Sequence, residues 1–328
     1  MHVALVGVDG CFTSALTVFI DVLGTAEVVR PAFDSPIPPI RIDVVGARRK
    51  VVTGAGLTVP VSMSLTDLDC FDTIVIPALG TLNEHDTTAA LKGRDVRAVT
   101  RALGRIDHAA ASIAAACTGV FALAETGLLD QHHATTSWWL ANAFRGRYPT
   151  VTLDLDAMVV SDDGKMTAGA AFAHLDLALA IVRRVSPALA QHVARMLVID
   201  ERPSQRGYLV LDHLAHSDAL VLEFEQHVRV NLHEPLDIHD VAAVLGTSRR
   251  TLERRTQTVL GMSPIDFVQR LRVERATHLA DTTDQSVEQI AHKSAMPTPP
   301  PFEPSSDEPT DTVNTRKHSP HRGTTRIR

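Results

Sequence analysis

Hydrophobic residues in the first 187 positions form two alternating patterns. Short apolar runs predict buried strands at His2–Val8, Ile40–Val45, Asp72–Pro77 and Ala109–Ala116. Segments with helical spacing lie between or after them, at Thr13–Val29, Arg94–Arg105, Thr118–Thr126, Ser137–Arg147 and Phe172–Val185. Further strands are expected at 150–160 and 165–168, around a tight turn at Asp162-Asp163-Gly164. Because strands alternate with helices, the pattern predicts an α/β domain whose parallel sheet is sandwiched between helices.

The C-terminal third has a purely helical pattern. Ile238, Val241, Ala242 and Leu245 recur at i, i+3, i+4 and i+7, so one side of a short helix is apolar. Gly246 ends that helix and Ser248 can cap the next one. Gly261 stops the second helix, and Ser263 with Pro264 starts a third. Two short helices on a glycine turn predict an all-α helix-turn-helix domain.

Basic residues are concentrated on the second of these helices. The candidate DNA-binding residues are Ser248, Arg249, Arg250, Thr251, Arg254 and Arg255. The alternative is that these residues only form a solvated basic face. The place of the helix in a helix-turn-helix favours DNA contact instead. Arginines that face the groove can bind guanine bidentately, and the flanking ones can bind phosphate. The spacing alone does not decide which arginine takes which role.

The segments SRRTLERR and LGMSPIDFVQRLRVERATHLA resemble the DNA-binding domain of the AraC/XylS regulators, over roughly residues 225 to 296. The resemblance implies two helix-turn-helix units joined by a long helix, here Ser263–Ala280. Thr256 stands where the family usually has an aromatic core residue, so looser packing is expected. Ser286 and Gln289 form a capping box that begins the second unit. From Pro297 the chain is rich in proline, which predicts a truncated second unit, a disordered tail at 297–328, and weakened DNA binding.

A run of small residues ends at Cys117, immediately before a predicted helix. This places the thiol at the carboxyl end of a parallel strand, and a helix N-terminus is expected to lower its pKa. With the segment VIPALG, this turn resembles the class I glutamine amidotransferase-like fold in its ThiJ/PfpI branch. Regulators of the GlxA type join such a domain to an AraC-type one, in the order found here. The resemblance therefore implies a transcription factor with an amidotransferase-like (flavodoxin-like) sensor domain.

Three partners that a cysteine hydrolase of this fold would use are missing. Thr118 stands where PfpI-type enzymes have histidine, and Ala15 stands where ThiJ-type relatives have an acid, with Asp21 two turns further on. Ser137 replaces a histidine before Trp138. We therefore expect no catalysis, and a sensor pocket for a small molecule or for thiol oxidation near Cys117, Thr118, Gly80 and Trp138. The alternative is a PfpI-type cysteine-dependent amidase or hydrolase with a vestigial DNA-binding region.

Length, composition and charge indicate the domain organisation, the compartment and the partners of the protein. The expected organisation is a sensor domain at 1–187, a helical linker at 188–225, the helix-turn-helix domain at 226–296, and the tail. The net charge of −6 argues against a chain that coats nucleic acid along its whole surface. Three cysteines form no disulfide or zinc pattern, which indicates a cytoplasmic protein. The sequence indicates no metal, cofactor, signal peptide or membrane span, and a homodimer on double-stranded DNA is expected.

Overall fold

The computed structural model describes residues 1–107, 111–170, 172–200, 202–205, 218–283 and 285–295. Within these residues the strands are β1 (His2–Gly7), β2 (Arg41–Gly46), β3 (Lys50–Val52), β4 (Thr58–Pro60), β5 (Met63–Ser64), β6 (Thr73–Ile76), β7 (Ser112–Ala116), β8 (His133–Ala134), β9 (Thr152–Leu153), β10 (Val159–Asp162) and β11 (Lys165–Ala168). The α-helices are α1 (Thr13–Val29), α2 (Glu84–Leu91), α3 (Arg94–Leu103), α4 (Gly119–Ala124), α5 (Ala141–Arg147), α6 (Ala173–Val185), α7 (Pro187–Met196), α8 (Ala219–Val230), α9 (Ile238–Val244), α10 (Arg249–Leu260), α11 (Pro264–Thr282) and α12 (Val287–Lys293). None of the described helices is long and apolar enough to cross a membrane.

Seven strands form the main sheet, in the order β10-β11-β7-β6-β1-β2-β5. Neighbouring strands from β11 to β5 run parallel, and β10 alone is antiparallel to its neighbour. The tight turn that joins β10 to β11 has positive φ at Asp163 and Gly164, as the sequence pattern predicts. Helices cover both faces, so the predicted α/β class with a sandwiched parallel sheet is confirmed.

Alternating residues of each strand supply the cores of the two faces. In β1, Ala4 and Val6 pack with α3, α4 and α5, while Val3 and Leu5 pack with α1, α6 and α7. This period of two is what a pleated strand with helices on both sides requires. The predicted ends of α1 agree with the structure, whereas α2 was not predicted because it buries only Thr87 and Leu91.

The predicted linker at 188–225 is corrected by the structure. Helix α7 buries Leu189, Ala190 and Val193 in the same cluster as α1 and α6, so it completes the α/β domain. Helix α8 instead buries Val221 and Phe224 with the helix-turn-helix. The apolar stripes of both helices need a partner surface, so neither helix is a free connector. Residues 206–217, in the middle of the predicted linker, lie outside the described residues.

The helix-turn-helix forms as its start and stop signals predict. The Ser248 hydroxyl accepts a hydrogen bond from the Thr251 backbone N–H at 3.2 Å, which caps α10. Gly261 ends α10 in the left-handed conformation, with φ 74°. Thr256 is fully buried, and its hydroxyl donates to the Leu252 carbonyl at 2.9 Å, so the position expected to pack loosely is filled and hydrogen-bonded.

The chain divides into two compact units. The first consists of residues 1–232 and 236–271, so the α/β domain and α8 to α10 belong to one unit. The second consists of residues 233–235 and the described residues from Arg272 onward. In this second unit, α12 begins with the predicted capping box of Ser286 and Gln289. The predicted tail at 297–328 lies outside the described residues and stays a prediction.

Candidate functional site

Cys117 lies on a strained turn between β7 and α4. Its φ is +55°, which is unusual for a residue other than glycine, asparagine or aspartate. The turn is crowded, since a Cβ on Gly119 would lie 2.4 Å from the Pro77 carbonyl oxygen. Only glycine fits there without a shift of the backbone, and the predicted strand-to-helix turn at the thiol is confirmed.

The Cys117 thiol is buried, whereas a reactive thiol is expected to be accessible. Cys117 is 1% exposed, it packs with Ala15 and Ala78, and its Sγ lies 2.9 Å from the Ser137 hydroxyl oxygen. Burial raises the pKa of the Cys117 thiol, although hydrogen bonds from Ser137 and Thr118 partly oppose the shift. The expected lowering of its pKa is wrong, because desolvation of the buried thiolate exceeds the effect of the hydrogen bonds that favour it.

The loop after β6 is held against this turn by two buried side chains. The Thr118 hydroxyl accepts a hydrogen bond from the Leu79 backbone N–H at 2.9 Å. The Nε2 atom of His174, which is 1% exposed, accepts one from the Ala78 backbone N–H at 3.2 Å. Sequence reasoning missed His174, because a histidine inside a helical apolar pattern carries no signal of its partner. Both side chains position the loop that leads to Gly80.

A surface cleft of about 600 Å³ lies beside the thiol turn and is lined by Gly10, Phe12, Thr13, Ser14, Thr17, Gly54, Ala55 and Gly80. Gly80 is thus the one predicted pocket residue that lines this cleft. Phe12 lines the cleft on one side and packs against the cluster that contains Cys117 on the other. Cys117 itself does not line the cleft, and Phe12 is the residue that the cleft and the thiol cluster share.

The two tryptophans lie beyond the thiol in different environments. Trp139 packs against the Cys117 cluster, whereas Trp138, the predicted pocket residue, does not belong to that cluster. The indole of Trp138 is 9% exposed and packs among residues of the helix-turn-helix. The two rings meet edge to face, with centroids 5.3 Å apart. The segment from Ser137 to Trp139 thus connects the thiol to the helix-turn-helix.

A single hydrophobic cluster, which we call the shared core, joins the α/β domain to the helix-turn-helix. The α/β domain contributes Trp138, Ala141 and Leu155. The segment from α8 to α11 contributes Val221, Phe224, Val228, Leu232, Ile238, Val241, Ala242, Leu252, Leu260, Met262, Phe267, Val268 and Leu271. No local pattern in the sequence indicates this packing, because it pairs segments that are about 100 residues apart.

Arg145 of α5 lies at the end of α10. Its Nη2 atom is 2.5 Å from the position that a Cβ would take on Gly261. Burial lowers the pKa of the Arg145 guanidinium. A cation at this place interacts favourably with the carboxyl end of the α10 dipole. The α/β domain therefore contacts the basic helix at its C-terminus through both a charge and apolar packing.

The four arginines of α10 are all exposed, but they differ in their ion pairs. Arg249 donates to Glu253 at 2.8 Å, and Arg255 pairs with Asp218 at 2.6 Å, next to the start of α8. Arg250 and Arg254 lie one turn apart and form no ion pair with any residue that the structure describes. These two guanidiniums are the ones available to an added ligand.

Comparison with known proteins agrees with both parts of this architecture. Residues 19–184 match the DJ-1/PfpI family, and residues 241–302 match a helix-turn-helix domain family. Because the first match covers half of the chain, the protein belongs to the DJ-1/PfpI family. The predicted combination of this domain with an AraC-type helix-turn-helix is confirmed.

Three similar proteins are bacterial HTH-type transcriptional regulators. GbdR of Pseudomonas aeruginosa is 29% identical over 55% of this chain and 50% of its own length. ArgR of the same species is 31% identical over 58% of both chains. GlxA of Rhizobium meliloti is 27% identical over 63% of this chain and 65% of its own. The chain thus spans between half and two thirds of the length of these three relatives.

Proposed function

We propose that the protein is a transcription regulator that binds double-stranded DNA through α10 under the control of its α/β domain. The observation that carries this proposal is the basic helix of a capped helix-turn-helix, whose Arg250 and Arg254 are exposed and free of ion pairs among the described residues. The names of the relatives support the same function. A homodimer is part of the proposal, since one such unit buries little surface for specific binding.

The geometry supports distinct roles for the arginines. Arg250 and Arg254 share one face of α10 and are proposed to contact base edges in the major groove. Arg249 pairs with Glu253 at an exposed site, where such a pair contributes little and is readily exchanged for phosphate. Arg255 is held by Asp218, and we propose that it orients α10 relative to α8. Ser248 and Thr251 lie at the helix start, where their hydroxyls can reach phosphate.

Control is proposed to act through the shared core. The cleft lined by Phe12 and Gly80 is the proposed site of a small-molecule effector. Trp139 packs against both the Cys117 cluster and the shared core, so a change at the cleft has a short path to the helix-turn-helix. The α/β domain is proposed to act without hydrolysis, because its thiol is buried and its side-chain hydrogen-bond partners are hydroxyls rather than a base.

Duplexes selected from a random-sequence library by the full chain would test DNA binding without knowledge of the operator. Fluorescence anisotropy at several salt concentrations would then compare wild type with Arg250→Ala and Arg254→Ala. Each substitution is expected to weaken specific binding by about 1–3 kcal/mol and to relax selectivity at one base position. Arg195→Ala, at an exposed arginine of α7, is the matched control and should bind as wild type does.

Two results would overturn the proposal. The first is wild-type protein that recovers no duplex and shows no salt-dependent anisotropy change. The second is specific binding that survives both arginine substitutions unchanged, since α10 would then not be the helix that contacts the bases.

A further inference from the structure

Basic residues of the α/β domain are concentrated on one part of its surface. Of the fifteen lysines and arginines in residues 1–187, nine lie in the segments 41–50 and 92–105, which hold only two acids. The remaining surface of the domain is correspondingly acidic. In a protein with a net charge of −6, this separation produces a local positive potential that attracts anions.

The two segments meet at a cleft of about 620 Å³ between the turn after β2 and one face of α3. Four arginines line it: Arg48 from the turn, and Arg94, Arg97 and Arg101 from α3. The three helical positions follow a spacing of i, i+3 and i+7, so their side chains leave the same face of α3. Four guanidiniums from two separate elements therefore converge on one concave surface.

Two carboxylates lie near these four guanidiniums, and both pair with Arg48. Arg48 donates to the Asp9 carboxylate at 2.7 Å and lies 3.3 Å from the Asp95 carboxylate, so its guanidinium is fixed in place by both. The Arg101 Nε atom donates to the Arg97 carbonyl at 3.1 Å. Arg94, Arg97 and Arg101 form no ion pair with any described residue. Three like charges remain side by side, an arrangement that an anion would stabilise.

We propose that this cleft binds a small molecule that carries two or more phosphate or carboxylate groups. The planar fork of an arginine matches both groups bidentately, and several forks can engage one polyanion. The volume lies within the range of small-molecule sites, about 300–1,000 Å³. Because the surface is concave, it favours a compact ligand. A nucleic-acid duplex would instead need a basic surface that protrudes. The site is separate from α10 and from the cleft at Phe12, and it does not depend on the proposed DNA binding.

Isothermal titration calorimetry of the full chain with pyrophosphate and with citrate, at constant ionic strength, would test the proposal. Wild type is expected to bind at least one of them at one site per chain, and more weakly as sodium chloride is raised. Binding by pyrophosphate alone would indicate phosphate groups, and binding by citrate alone would indicate carboxylates. The double variant Arg94→Gln/Arg97→Gln should bind roughly tenfold or more weakly, because charge-assisted hydrogen bonds are lost.

The controls separate this site from general attraction of anions. Arg184→Gln removes an exposed arginine of α6 and should leave the affinity unchanged, and circular dichroism would confirm that each variant is folded. The absence of binding to both anions at millimolar concentration would overturn the proposal. Equal affinity of wild type and double variant would overturn it too. A third result would also overturn it: wild type binds neither small anion, and the double variant loses affinity for a non-specific duplex. The surface would then contact DNA rather than a small molecule.

Discussion

Leu155→Ala tests whether the α/β domain and the helix-turn-helix share one core. Leu155 belongs to the α/β domain, is 5% exposed, and packs in the shared core. Its Cδ1 atom lies 3.2 Å from the position that a Cβ would take on Gly261, at the end of α10. Removal of this side chain is therefore expected to weaken the attachment of α8 and α10 to the domain.

The size of the effect follows from the atoms removed. Leucine to alanine deletes three carbon groups, each worth about 0.8 kcal/mol when buried, which gives about 2.4 kcal/mol before any cavity forms. Buried leucines truncated to alanine span about 2–5 kcal/mol, and the cost is smallest where neighbours can close the gap. Leu155 lies where two groups of elements meet and can approach each other. We therefore expect a loss of about 2–3 kcal/mol.

Hydrogen exchange measured by mass spectrometry would localise this loss. Amides of α8 and α10 that exchange through local opening should exchange roughly 30- to 150-fold faster in Leu155→Ala, from the free energy above. Amides of β1 and β6 should keep most of their protection. Leu179→Ala is the matched control, since Leu179 is 7% exposed but packs on the opposite face of the sheet.

The comparison of the two variants decides the outcome. Leu179→Ala should destabilise the α/β domain without a selective effect on α8 and α10. If Leu155→Ala lowers the unfolding midpoint but leaves the exchange of α8 and α10 as in wild type, the shared core does not hold these helices to the domain.

Three further predictions concern single residues. Gly261→Ala should lower the free energy of unfolding by about 1–2 kcal/mol, because the φ of Gly261 is +74°. Gly146→Ala should not lower it, because the space around Gly146 is open. Denaturant titration measures the free energy of unfolding of both variants. A thiol reagent at pH 8 should label exposed Cys70 rapidly, and rapid labelling of more than one thiol per native chain would contradict the burial of Cys11 and Cys117. Burial raises the pKa of Cys11 from 9.0 to about 11, so the native state favours the neutral thiol. This stability, on the order of 2–3 kcal/mol, is complete below about pH 9 and is lost as pH rises to about 11. In urea titrations from pH 8 to 11, Cys11→Ala should therefore show a smaller decline than wild type, and equal declines would refute the assignment.

Elements with strong local signals could be predicted from the sequence. The apolar face of α1, the turn at Asp163 and the stop at Gly261 each depend on neighbouring residues alone. The order of strands and helices then fixed the class of fold, because parallel strands need helical crossovers. The serine cap of α10 and the capping box of α12 were predicted for the same local reason.

Features that depend on distant partners could not be predicted. The residues of α7 indicated a helix but not the surface that it covers, so its place in the α/β core was missed. The position of Cys117 followed from its turn, but its burial depends on Phe12, Ala15 and Ala78 from other segments. Likewise, the pairing of Arg255 with Asp218 distinguishes one arginine of α10 from its neighbours, and nothing in their spacing indicates it.

The position of the thiol indicates how a turn of the kind that hydrolases use could serve the proposed regulator. The strained backbone at Cys117 places its side chain where a hydrolase would present a nucleophile, but here the thiol is buried and packs with Phe12, which lines the cleft. The Cys117 side chain packs in a small cluster, and Trp139 contacts both this cluster and the shared core. A ligand in the cleft can shift the helix-turn-helix only by the difference between its affinities for two arrangements of these side chains. Because Phe12 is both the wall of the cleft and a packing partner of the thiol, its position is where such a difference would arise.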